Sequence, residues 1–162
     1  MPSRRTVLTG ATTSALLLSG CTSIVRVQPK IDRGIEFRRG AVFYPEQPDL
    51  QAEKPLARAY IFDTESEASA LNWGMLLHPA EYRQTNFDTH CLVLVVGLSE
   101  SGTKVVLDEQ EVNGQSLSYQ MSVTAAEHEP ERPTFSYYLQ KWRLGTVSDI
   151  ESTDVRLSGK SS

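Results

Sequence analysis

"TKVVLDEQEVNGQSLSYQMSVT", residues 103–124, reads as two strands folded back on a two-residue turn. Asn113-Gly114 is the turn. That dipeptide adopts the positive φ angles that a tight hairpin demands. The arm after it alternates in period two. Leu117, Tyr119, Met121 and Val123 point one way; Ser116, Ser118, Gln120, Ser122 and Thr124 point the other. Such alternation describes a strand with one face in a core and one in water. The hairpin spans Thr103 to Val112 and Gln115 to Thr124.

Working outward, Cys91 to Leu98 is apolar on both faces, the pattern of a central strand. Phe135 to Leu144 is a further strand, and Asp154 to Ser158 a last edge strand. Upstream, Ala57 to Phe62 is a strand. Ile35 to Tyr44 is another, bent at Gly40 and ended by Pro45 and Pro48. Residues 45–56, "PEQPDLQAEKPL", form a polar loop. Helix is scarce. Thr64 with Glu67 makes a capping box, so Thr64 to Leu71 is expected as a short helix. Pro79 to Gln84 is a second single turn opened by Pro79. The expected fold is mainly β: an antiparallel β-sandwich or open barrel of about seven to eight strands with one or two short helices. One β-rich domain occupies residues 35–158, and residues 159–162 are a tail.

Composition fits one domain. The chain has 162 residues, 40% hydrophobic and 22% charged, the mix of an ordinary globular protein with a sizeable core. Formal net charge is -4. A mildly acidic body argues against binding nucleic acid or an anionic membrane surface through a basic patch, which need clustered Lys and Arg.

The first 21 residues have their own logic. Arg4-Arg5 is a charged head, Val7 to Leu18 a weakly apolar core, and Ser19-Gly20 a pair of small residues before Cys21. An apolar stretch of about a dozen residues is short of the roughly 20 needed to span a bilayer as a helix. The order is that of an export signal. Ser3-Arg4-Arg5-Thr6-Val7-Leu8 looks like a twin-arginine motif, and Leu18-Ser19-Gly20-Cys21 looks like a lipobox, in which a diacylglyceryl group is attached to the Cys thiol. A thiolate is the side-chain nucleophile suited to that alkylation, and two acyl chains anchor stably where one is marginal. Residues 1–20 are read as the signal peptide and 21–34 as a lipidated tether. Within the tether, Ile24, Val25 and Val27 lead into a first short strand.

With these motifs the N-terminus resembles the small twin-arginine-exported lipoproteins of halophilic archaea. The resemblance rests on residues 1–23 and implies a protein fixed by lipid to the outer face of the cytoplasmic membrane. The stretch from Ala57 to Leu144 resembles a small secreted β-domain, a group that includes accessory subunits of protease complexes. Such subunits carry a Thr-Gly-Gly-Tyr-like turn, where this chain has Ser101-Gly102-Thr103, so no functional residue carries over.

The sequence holds no ordered catalytic motif. Gly97-Leu98-Ser99-Glu100-Ser101 departs from the nucleophile elbow at its fifth position and precedes a strand rather than a helix. Cys91 follows His90, but neighbours on a strand point to opposite faces, so His90 is poorly placed to activate it. Cys91 reads as a small buried hydrophobe. His78, His90 and His128 stand apart with no metal-ligand spacing. Glu127-His128-Glu129-Pro130-Glu131 reads as a solvated acidic turn, with a weak cation site as its sharper alternative. Asp63, Glu65 and Glu67 read as charge at a helix N-terminus. No cofactor fingerprint, phosphate-cradling loop or metal set is present in the sequence.

Aromatic residues supply the binding candidates. In Phe135 to Arg143, Tyr138 and Trp142 share one face, and Tyr137, Lys141 and Arg143 the other. Either a core face or a surface for glycan rings or a peptide strand is consistent with that pattern. Trp73, beside Gly74, is a core plug or a ligand contact. The function expected is a lipid-anchored, non-catalytic β-domain binding a surface protein or glycan. An envelope hydrolase whose groups converge only in the fold is one alternative. An accessory or inhibitory subunit of an exported protease is the other.

Overall fold

The computed structural model describes residues 30–38, 56–76, 79–126, 134–145 and 150–159. Among them run seven strands: Lys30–Arg38 (β1), Leu56–Phe62 (β2), His90–Ser99 (β3), Thr103–Asn113 (β4), Ser116–Ala125 (β5), Thr134–Arg143 (β6) and Ser152–Ser158 (β7). Two short helices, Glu65–Ala68 (α1) and Pro79–Arg83 (α2), flank a single 3-10 turn at Trp73–Met75. The strands form a four-stranded sheet, β1-β6-β3-β2, and a three-stranded sheet, β4-β5-β7. This is the mainly β, sandwich-like architecture expected from the alternation patterns; the sheets do not close into a barrel.

The hairpin β4–β5 closes with Asn113 opposite Ser116 and Gly114 at φ +63°. The register slips once, between Leu107 and Glu109, where Asp108 is the extra residue of a bulge. The bulge lets Val105 and Leu107 face the core before it and Gln110 and Val112 after it. Asp108 is thrown outward, where its carboxylate accepts from the Ser122 hydroxyl at 3.0 Å.

Strand β3 is buried from Cys91 to Ser99 because it has protein on both faces. Cys91, Val93 and Val95 pack between the sheets with Val105, Leu117, Tyr119 and Met121. Leu92, Leu94 and Val96 pack on the opposite face under Ala68, Leu71, Leu76 and Tyr82, which the helices and the 3-10 segment lay over the sheet. Gly97 is where the sheets press closest. A Cβ there would stand 2.4 Å from Val105 Cβ, inside any real contact.

Three departures from the sequence expectation have physical causes. Strand β1 starts at Lys30, so residues 30–34 of the segment read as tether belong to the sheet. Its partner β6 offers a ladder that β1 follows from Lys30 opposite Arg143 to Arg38 opposite Ser136. An edge strand tolerates the charged residues of this segment. The continuation expected to Tyr44, the bend at Gly40 and the loop 45–56 up to residue 55 lie outside the described residues. The second departure concerns β7, which runs parallel to β5 rather than antiparallel, pairing Ser116 with Ser152 through Ser122 with Ser158. A parallel pair needs a long crossover. Here the chain supplies it by leaving β5, running β6 in the other sheet, and returning. The third is the first helix, which spans four residues instead of the expected eight. Its capping box is present: Glu67 N–H donates to Thr64 Oγ1 at 3.2 Å, and Thr64 N–H to Glu67 Oε2 at 3.2 Å.

Candidate functional site

The two faces of β6 decide where a ligand can reach. Tyr138 and Trp142 are both buried between the sheets. The Tyr138 hydroxyl accepts from Leu107 N–H at 3.1 Å and donates toward the Val105 carbonyl at 3.4 Å. Trp142 Nε1 donates to Gln140 Oε1 at 3.0 Å, and the Tyr119 hydroxyl donates to the same oxygen at 3.0 Å. Gln140 Nε2 in turn donates to Gln110 Oε1. Desolvation by burial pushes the Tyr119 hydroxyl well above the ordinary phenol range, which outweighs the hydrogen bonding on the Trp142 side. This network fills the polar capacity of a core and offers no open face.

The outer face of the same sheet is different. Tyr137 lies there among the residues under the helices, stacked on Phe135 with ring centroids 5.9 Å apart. Short helices cover the sheet incompletely, and a cleft of about 440 Å³ remains between them. It is lined by Glu65, Ala68 and Ser69 of the α1 segment, Trp73, Tyr82 and Arg83, and Phe87. Each wall has a local cause. The capping box fixes the start of α1 and so the position of Glu65. A turn at Asn86, whose carbonyl accepts from His90 N–H at 2.9 Å and whose Oδ1 accepts from Asp88 N–H at 3.0 Å, holds Phe87. Lys141 Nζ donates to the Glu81 carbonyl at 3.0 Å and ties α2 down to β6.

The Arg83 guanidinium sits over the Trp73 ring, 5.7 Å from its centroid. That is near the outer limit of a cation–π contact, worth about 0.5–1 kcal/mol where exposed. Trp73 is half-buried and Arg83 exposed. Among the described residues, no ion pair or side-chain hydrogen bond is formed by the Glu65 carboxylate or the Arg83 guanidinium. The cleft therefore joins aromatic walls to one uncommitted acceptor group and one uncommitted donor group. Its volume falls in the ligand-pocket range of roughly 300–1,000 Å³.

Two other concavities lack that combination. A groove of about 550 Å³ follows the edges of β2 and β7. Its two carboxylates are engaged: Glu67 in the capping box, and Glu151 by Gln115 Nε2 at 2.7 Å. A hollow of about 140 Å³ on the outer face of β4–β5 holds Glu109, Glu111 and Arg156. Arg156 there is paired with Asp154 at 3.1 Å.

Of the binding candidates named from sequence, Trp73 lines a cleft, whereas Tyr138 and Trp142 are core. Arg83, Phe87 and Tyr82 were not singled out as site residues, and Glu65 was read as helix-end charge. The signal that brings them together is tertiary packing of two short helices. Ser99 is buried, and its hydroxyl donates to the Thr103 carbonyl at 2.8 Å across the β3–β4 turn. The His90 ring meets the Thr89 hydroxyl through Nδ1 at 2.8 Å. Cys91 is fully buried in the inter-sheet core. Among the described residues no group of three or more His, Cys, Asp or Glu gathers as a metal set, and no helix is long and apolar enough to cross a membrane. Arg4, Arg5, Cys21, His78 and the Glu127–Glu131 cluster lie outside the described residues. No family model, curated protein or solved structure matches the chain.

Proposed function

We propose that this chain is exported, anchored by lipid at Cys21 to the outer face of the cytoplasmic membrane, and serves there as a non-catalytic binding domain. The observation that carries the proposal is the order of its first 21 residues. Arg4-Arg5, a weakly apolar core and Leu18-Ser19-Gly20-Cys21 follow one another at the spacing that twin-arginine export and lipidation require. The body supports a binding role by what its nucleophiles do. Ser99 holds a turn and Cys91 fills a core, while the accessible chemistry gathers in an aromatic cleft.

Fractionation of cells producing the full chain tests this. The wild type is expected in the membrane fraction, resistant to high salt, with its mature N-terminus at a modified Cys21. Cys21→Ser is expected to leave the membrane, and paired Arg4→Lys, Arg5→Lys to hold the unprocessed precursor inside. A Cys21→Ser chain as firmly membrane-bound as wild type overturns the anchor. Cross-linking on intact membranes then separates binder from hydrolase. A partner or glycan captured by the wild type and lost with Cys21→Ser supports the binding role. Hydrolytic activity in the purified chain refutes it.

A further inference from the structure

We infer that the cleft between α1, Trp73 and α2 is a carbohydrate site, taking a neutral pyranose unit of a surface glycan against the Trp73 ring, with Glu65 and Arg83 to meet its hydroxyls. The inference deepens the binding role proposed above and rests on it for the place where the ligand is met.

Three features of the cleft choose the ligand class. First, its walls are rings, Trp73, Tyr82 and Phe87, set on an apolar base. A pyranose presents a flat patch of C–H groups to such rings, and apolar contact supplies most of the area in small-ligand sites. Second, the two charged groups at the cleft are of opposite sign and are not engaged elsewhere among the described residues. A sugar hydroxyl both donates and accepts. One hydroxyl can donate to the Glu65 carboxylate and a neighbour can accept from the Arg83 guanidinium, both as charge-assisted bonds. A ligand carrying net charge would satisfy one of the two groups and be repelled by the other. Third, the walls are short helical segments and a turn. A peptide strand recognised by backbone pairing needs an open sheet edge, which this cleft does not offer. A lipid tail needs no such pair of opposite charges at its side.

The contact between Arg83 and Trp73 is compatible with ligand entry. At 5.7 Å it is loose, so a pyranose face can take the guanidinium's place over the ring. Arg83, displaced to the edge of Trp73, still reaches the hydroxyls with its planar fork of donors. A lysine there would supply a point charge without that fork.

Trp73 is also the reporter. The full chain, purified in a detergent without a sugar head group, is titrated with cellohexaose, maltohexaose, mannohexaose and chitohexaose while tryptophan emission is followed. At least one of these is expected to give a saturable blue shift with half-saturation below about 10 mM. Arg83→Ala and Glu65→Gln are each expected to weaken binding about ten-fold, the loss of one charge-assisted hydrogen bond. Arg83→Lys is expected to recover only part of it. Trp73→Ala is expected to abolish binding, followed by calorimetry since the reporter is gone. Both Arg83 and Glu65 are exposed, so those variants decide the matter even if Trp73→Ala does not fold. No saturable change with any of the four hexamers overturns the inference. So does binding that Arg83→Ala and Glu65→Gln leave untouched, or saturation of the cleft by a short apolar peptide instead. None of these outcomes bears on membrane fractionation of Cys21→Ser, so failure of the sugar site and failure of the anchor are read separately.

Discussion

Strand β6 has an inner face and an outer face, and the two treat similar residues in opposite ways. On the inner face, Tyr138 and Gln140 find polar partners on a second sheet, the Val105 and Leu107 backbone, the Tyr119 hydroxyl and Gln110, while the Trp142 indole N–H donates to Gln140 of its own strand. On the outer face, Tyr137 and Leu139 meet helices of four and five residues, which cannot tile a sheet. The difference is one of coverage. A strand neighbour brings a continuous ladder of backbone and alternating side chains, so gaps close. Single helical turns bring a few apolar residues each and leave space between them. The aromatic residues that cap that space, Trp73 and Phe87, stay partly open to solvent. A closed face gives stability, and an incompletely covered face leaves room for a ligand.

The largest effect that separates the faces is expected from Trp142→Ala. It removes a buried indole from the inner core and leaves the Gln140 oxygen with one donor fewer. Deleting a buried aromatic costs about 3–5 kcal/mol. Urea denaturation of wild type and variant measures it. A loss below about 1 kcal/mol, the range of surface changes, would mean that the inner face is not the closed core described.

That inner network was half legible in the sequence. Tyr138 and Trp142 are in phase on β6, and Gln140 lies in phase between them, a polar residue on a face of aromatics. Of its partners, Tyr119 is legible as core-facing from the alternation of β5, whereas Gln110 is not, because the bulge at Asp108 shifts the phase of β4 by one residue. The hairpin itself was legible because Asn113-Gly114 is local turn chemistry, and β3 because apolar residues on both faces admit few placements. Thr64 and Glu67 announced a helix start for the same local reason. The parallel pairing of β7 was not legible. Its cause lies in where β6 goes, which no property of Ser152–Ser158 records. The cleft is the extreme case. Trp73 and Arg83 come together only because α1 and α2 dock beside each other on a sheet built from distant strands.

A second, smaller effect probes the inner face by pH. The folded chain holds the Tyr119 hydroxyl above its ordinary value through burial, so folding favours the protonated form. The unfolded chain begins to lose that proton near pH 10 while the folded chain keeps it. The unfolded state then binds fewer protons, and stability falls as pH rises past about 10, by about 1.4 kcal/mol per pH unit for one such group. The contribution is fully present below that value. Tyr119→Phe is expected to lower stability at neutral pH by about 1–3 kcal/mol, by leaving Gln140 short of a donor, and to flatten the alkaline fall. Denaturant titrations of the two proteins at pH 8 and above about pH 10 measure both. An equal alkaline slope in the variant would place the titrating group elsewhere.

The smallest effect belongs to the outer face, and its smallness is the point. Arg83 is exposed and held over Trp73 by a contact at the weak end of its class. Replacing it with alanine removes that contact from an exposed position. The expected change in unfolding free energy is about 0.5 kcal/mol or less, within the range of ordinary surface substitutions. Thermal and urea unfolding measure it. A loss above about 2 kcal/mol would show that Arg83 braces α2 against the 3-10 turn, making the cleft part of the core rather than a space left open. A change near zero, beside the large loss for Trp142→Ala, means that the open rim of the cleft carries little of the fold's stability, in contrast to the apolar residues buried beneath it. Residues on such a rim can change to suit a ligand while the sandwich beneath them stays the same.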